Sequence, residues 1–118
     1  MLSRFVFLMW MTAMLLGAVG AAGAASAQTV GLGLAQANNC MSCHRVDRKV
    51  VGPGFAAIAE RFAGNAEAAD YLAQSIINGS RGHWGPVPMP RQAHVSEKDA
   101  QTLAQWILSL NDAKVSLD

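Results

Sequence analysis

Cys40-Met41-Ser42-Cys43-His44 narrows the possible folds more than any other feature of this 118-residue chain. On a helical turn, positions i, i+3 and i+4 share one face, so two thiols and an imidazole are presented together. That spacing lets both thiols meet the two vinyl groups of a porphyrin while the adjacent imidazole reaches the iron. Cys40 and Cys43 are therefore expected to hold one haem c covalently, with His44 as an axial ligand. Two rival readings exist. A disulfide or thiol-redox pair normally sits in a βαβ context, and a structural zinc site normally takes four Cys or His ligands. The sequence offers neither a βαβ pattern nor a second compact ligand pair.

The segment before the motif reads as an address. Met1 to Arg4 is short and positive, Phe5 to about Ala22 is apolar apart from Thr12, and Ala25-Ser26-Ala27 fits a small-residue cleavage site. Residues 1–27 are expected to be a cleaved signal peptide and residues 28–118 the domain. The alternative is an uncleaved inner-membrane anchor, since about 18 apolar residues is the lower edge of what spans a bilayer. Either way the domain is expected in the periplasm, an oxidising compartment.

A domain of roughly ninety residues gains only marginal stability from apolar burial alone, so a haem in its core would be scaffold as well as cargo. Without Arg4 the acidic and basic side chains balance, and nothing argues for nucleic acid. Their placement is uneven. Arg45, Arg48, Lys49, Arg81 and Arg91 flank the two motifs of interest, whereas of the acids only Asp47 does.

Four helical stretches are readable, and no stretch has the alternation of a strand, so the domain is expected to be all-α. The first, about Val30 to Asn39, runs into the cysteine motif. A second, about Phe55 to Ala63, aligns Phe55, Ile58, Ala59 and Phe62. The third, about Ala66 to Asn78, aligns Ala69, Leu72, Ala73 and Ile76 and ends at Asn78-Gly79. For the fourth, Ser96 is a ready N-cap with Asp99 in the capping-box position, and Leu103, Trp106, Ile107 and Leu110 form the buried stripe. Between the last two lies a loop, Gly79 to Val95, too long for so small a domain unless something organises it.

The second iron position decides between electron transfer and ligand binding. Of six methionines, four lie in the expected signal and Met41 is trapped between the cysteines, leaving Met89. It sits in Gly85-Pro86-Val87-Pro88-Met89-Pro90, where the prolines pre-stiffen the backbone and reduce the entropy lost in holding a weak thioether bond. His83 and His94, in the same loop, are the competing ligands and would lower the potential relative to His/Met.

The order of these motifs resembles the small bacterial monohaem class I cytochromes c, of the cytochrome c-five-fifty-one type. The resemblance rests on Cys40-x-x-Cys43-His44, Val51-Gly52-Pro53, Asn78-Gly79-Ser80, the run Trp84 to Pro90, and a closing helix with Leu103 and Trp106. It implies about four helices wrapped around one covalently bound haem. It also implies that the Pro53 carbonyl accepts the His44 ring N–H, that the Trp84 indole reaches a haem propionate, and that the Gln92 amide approaches the Met89 sulfur. An ordinary packed tryptophan is the alternative for Trp84. Where some members carry a basic residue near the propionates, this chain has Ser75.

The expected function is a periplasmic one-electron shuttle in a respiratory or denitrifying chain, not an enzyme, acting as a monomer with no small-molecule substrate. The resemblance implies an upstream quinol-oxidising complex or cytochrome and a downstream nitrite reductase or terminal oxidase. Docking is expected at the haem edge near residues 50–54 and 87–90. The rival is a haem-based sensor or peroxidase-like protein with a labile Met89.

Overall fold

The computed structural model describes residues 21–115 of the chain. Most of the expected signal peptide therefore lies outside the described residues. Four α-helices follow in order: α1 (Ala21–Ala37), α2 (Phe55–Arg61), α3 (Ala68–Asn78) and α4 (Glu97–Val115), with a 3-10 turn at Cys40–Ser42 between the first two. Among the described residues there is no β-strand, only the isolated bridges His44 to Lys49 and Ser80 to Met89, as an all-α pattern requires.

Helix α4 is the hub, packing against each of the other three. It starts where the sequence says it should. The Ser96 hydroxyl accepts the Asp99 amide at 3.1 Å, and Glu97 and Asp99 place negative charge at the positive end of the helix dipole. Its inward stripe of Ala100, Leu103, Ala104 and Ile107 is buried, Leu103 to 1% exposure, which marks the centre of the core.

Helix α3 begins at Ala68, two residues later than expected. Asn65 accounts for the difference: its side-chain oxygen accepts the Glu67 amide at 2.9 Å and its carbonyl accepts the Ala68 amide at 3.2 Å, so residues 65–67 form a turn. The later start places Ala68, rather than Ala69, in the fully buried position beside Leu72, Ala73 and Ile76.

Helix α1 departs from expectation at both ends. It is already helical at Ala21, the first described residue, rather than only from near Val30, because alanine is the strongest helix former and no proline interrupts Ala21 to Ala27. It stops at Ala37 instead of running into the cysteines. Asn39 takes a left-handed conformation, φ 61°, which asparagine tolerates and which breaks the helical path. The helix lies directly on α4: Ala35 is completely buried, and a methyl group at Gly31 would overlap the Trp106 side chain. Gly31→Ala is accordingly expected to lower unfolding stability by about 1–3 kcal/mol, the usual cost of overpacking, as a fall in the urea midpoint of the haem-loaded protein.

Candidate functional site

After Asn39 the chain makes the 3-10 turn Cys40–Ser42, and the His44 amide returns to the Cys40 carbonyl at 3.0 Å. This local path gathers Cys40, Cys43 and His44 on the wall of one cavity. The motif thus has its own turn, separate from α1, rather than the α-helical turn expected from spacing.

His44 is 7% exposed and is the one buried polar residue recorded among the described residues. Its Nδ1 lies 2.7 Å from the Pro53 carbonyl oxygen. A carbonyl only accepts, so Nδ1 carries a proton, and in the neutral ring Nε2 is the nitrogen with the free lone pair. The ring is fixed on two further sides. Phe55 stacks on it, with centroids 5.0 Å apart and planes 16° apart, and a side chain on Gly52 would come within 2.6 Å of His44 Cε1. The loop that brings Gly52 and Pro53 to the imidazole is closed by amides of Val51 and Gly52 donating to the Cys43 carbonyl at 3.2 and 2.8 Å. The same loop starts α2, because the Arg45 and Val46 carbonyls accept the Phe55 and Ala56 amides at 2.8 and 2.9 Å.

Both cysteines are free of a disulfide, and burial pushes the Cys40 thiol up, toward its neutral form. A thiol-redox cysteine is normally held in the opposite direction. Among the described residues no group of three or more His, Cys, Asp or Glu side chains could hold a metal ion.

Met89 lies in the loop that lines the same cavity from α3 onward. That loop is organised by main-chain atoms. The Ser80 amide donates to the Met89 carbonyl at 3.0 Å, the Met89 amide to the Ser80 carbonyl at 2.8 Å, and the Gln92 amide to the Ile76 carbonyl at 3.0 Å. Gly79, at φ +79°, makes the exit from α3; a side chain there would lie 2.8 Å from the Met89 carbonyl oxygen. Gln92 also lines the cavity, and its side-chain nitrogen donates to the Pro90 carbonyl at 2.8 Å, next to the methionine.

Trp84 is half-buried on the rim, with the Arg61 guanidinium 4.6 Å from its ring centroid. Arg61 also donates to the His83 carbonyl at 2.6 Å, so one cation at the end of α2 holds both the indole and its backbone. Sequence reasoning did not single out Arg61; its only advance signal was a basic side chain in the last turn of α2. Ser75 lines the cavity with its hydroxyl donating to the Tyr71 carbonyl at 2.9 Å. Of the two rival histidines, His83 reaches the rim beside Tyr71, whereas His94 lies against the Asn38 carbonyl at 3.3 Å, away from the cavity lining.

The cavity has a volume of about 180 Å³ and opens to solvent at its mouth. Its floor is apolar, formed by Phe55, Ile58, Leu72, Ile76, Leu103 and Ile107. A flat, largely apolar macrocycle fits such a slot, with two thiols at one edge, an oriented imidazole on the wall and a thioether in the facing loop.

An all-α domain with this slot and this thiol-imidazole set defines the class of small c-type haem proteins. The chain belongs to the cytochrome c family, whose signature, described as Cytochrome c, matches residues 29–111. It is 52% identical over 77 residues to cytochrome c-552 of Nitrosomonas europaea, covering 65% of this chain and 75% of that protein. To cytochrome c-551 of Pseudomonas aeruginosa it is 56% identical over 70 residues, covering 59% and 66%. The crystal structure of the Nitrosomonas europaea cytochrome c552 superposes with a TM-score of 0.67 at 50% identity, over 68% of this chain and 99% of that one. The fold is that of the class I cytochromes c. The chain is a small haem-containing electron carrier with one covalently attached haem c at Cys40 and Cys43, working with redox protein partners.

Proposed function

We propose that this protein is an exported, periplasmic shuttle of a respiratory or denitrifying chain, with its iron held by His44 and Met89. The observation that carries the reading is the single cavity lined by both the Pro53-oriented imidazole and the bridge-held methionine. When bound, the haem supplies a one-electron Fe(II)/Fe(III) couple. The residues do the rest. Apolar side chains exclude water, and a soft thioether favours the reduced ion, so the potential is expected on the positive side. Arg61 steadies the rim at Trp84 and His83, and the Gln92 amide is tied to the Pro90 carbonyl beside the ligand; on this reading the indole would reach a propionate and the glutamine amide the sulfur.

Export rests on the sequence pattern of residues 1–27; no helix among the described residues is long and apolar enough to cross a membrane. The partner surface is the cavity mouth. Val51 and Val87 are exposed there, Val87 to 59%, with Lys49, Arg81 and Arg91 nearby in sequence and also exposed. An apolar centre with basic surroundings suits brief encounters with acidic redox proteins, such as a quinol-oxidising complex or cytochrome upstream and a nitrite reductase or terminal oxidase downstream.

Two measurements test the reading. The ferrous protein is expected to leave carbon monoxide unbound on mixing at neutral pH, whereas rapid uptake would instead give the sensor or peroxidase-like reading. Association with the acidic partner is expected to slow as ionic strength rises; a rate that is flat or increases with salt excludes electrostatic steering.

A further inference from the structure

Gln28 is held at both ends of its side-chain amide by α4. The Trp106 indole N–H donates to Gln28 Oε1 at 2.9 Å, Gln28 Nε2 donates to the Ser109 hydroxyl at 2.9 Å, and that hydroxyl donates to the Trp106 carbonyl at 2.6 Å. The bonds close a ring between residues 78 and 81 positions apart in sequence. Trp106 is itself fixed: it is buried, packs edge-on against Phe55 at 5.3 Å, and fills the space that a side chain at Gly31 would need.

On the export reading above, cleavage after Ala25-Ser26-Ala27 makes Gln28 the first residue of the mature protein. An N-terminal glutamine is chemically unstable. Its α-amine attacks its own Cδ, a new N–Cδ bond forms, the Cδ–Nε2 bond breaks, and Nε2 leaves as ammonia with the amine's proton, giving a five-membered lactam without any redox change. The attack requires Cδ to fold back onto the residue's own nitrogen. A side chain stretched across to α4 reaches that geometry only by giving up both of its hydrogen bonds.

We propose that the Trp106–Ser109 clamp protects the processed N-terminus, keeping Gln28 open rather than cyclised to pyroglutamate. Cyclisation would remove Nε2 and leave Ser109 without that donor, loosening α1 from the helix that floors the haem slot.

The test is the intact mass of the exported, haem-loaded protein, followed during incubation in neutral phosphate buffer below its unfolding temperature. The wild type is expected to begin at Gln28 and keep its mass. Ser109→Ala and Trp106→Phe are expected to lose one ammonia about tenfold faster, the scale set by the net worth of the lost hydrogen bonds. Should Trp106→Phe fail to fold, Ser109→Ala alone carries the comparison, with guanidinium-unfolded wild type as the unprotected reference. Wild type isolated with the lactam closed, or closing as fast as Ser109→Ala or the unfolded chain, overturns the proposal. An N-terminus other than Gln28 also overturns it, while the haem spectrum and redox behaviour report separately on the carrier reading.

Discussion

A Cys40→Ala, Cys43→Ala double variant, exported by the same route, is expected to emerge colourless and largely unfolded. The core residues of α2, α3 and α4 pack on one another only in part; the rest of their apolar surface closes on the slot, with Leu103 and Ile107 on its floor. Without the haem, the apolar floor of Phe55, Ile58, Leu72, Ile76, Leu103 and Ile107 would face an open slot instead of a macrocycle. The whole stability of a small domain is about 5–15 kcal/mol. Without thioether bonds the haem is free to leave, and the remaining apolar burial is marginal at this size. Visible absorbance and far-ultraviolet circular dichroism check the outcome. A haem-free variant with undiminished helix content and a cooperative urea transition would show that the helices hold one another without the cofactor.

Met89→Ala is expected to lower the midpoint potential by on the order of 0.2 V, within the roughly 0.8 V range that axial ligands command, and to admit carbon monoxide. The substitution suits the question because the loop is held at residue 89 through its backbone. The amide and carbonyl that pair with Ser80 survive in alanine, so the side chain is removed without removing the bridge. Optical redox titration and the loss of the near-infrared thioether-to-iron band would report it. A variant with unchanged potential and no carbon monoxide uptake would remove Met89 from the iron and return attention to His83.

Features written in side-chain pattern were legible in the sequence. Ser96 marked the start of α4, the stripe through Leu103 and Ile107 marked its buried face, and the thiol-imidazole spacing marked the cofactor. Features that depend on main-chain atoms were not. The length of the Gly79–Val95 loop signalled that something must organise it, but the Ser80–Met89 bridge uses only backbone groups common to almost every residue. Alanine-rich sequence reads alike in a signal segment and in a helix, which is why the helical turns of α1 before Val30 were not legible. Gly31 and Gly52 are small because of Trp106 and His44, respectively, and those neighbours become visible only when the chain is folded. Arg61 and Trp84 meet by the same late route.

The grip on His44 bears on speed. A carrier must give up and accept an electron without rearranging what surrounds its metal, since every displaced atom adds to the barrier. With the Pro53 oxygen fixing one ring nitrogen, Phe55 covering a face and Gly52 leaving no room at the edge, the imidazole has nowhere to turn. On the proposed ligation, the two oxidation states would share nearly one geometry at this ligand, and the inner-sphere reorganisation energy would be small.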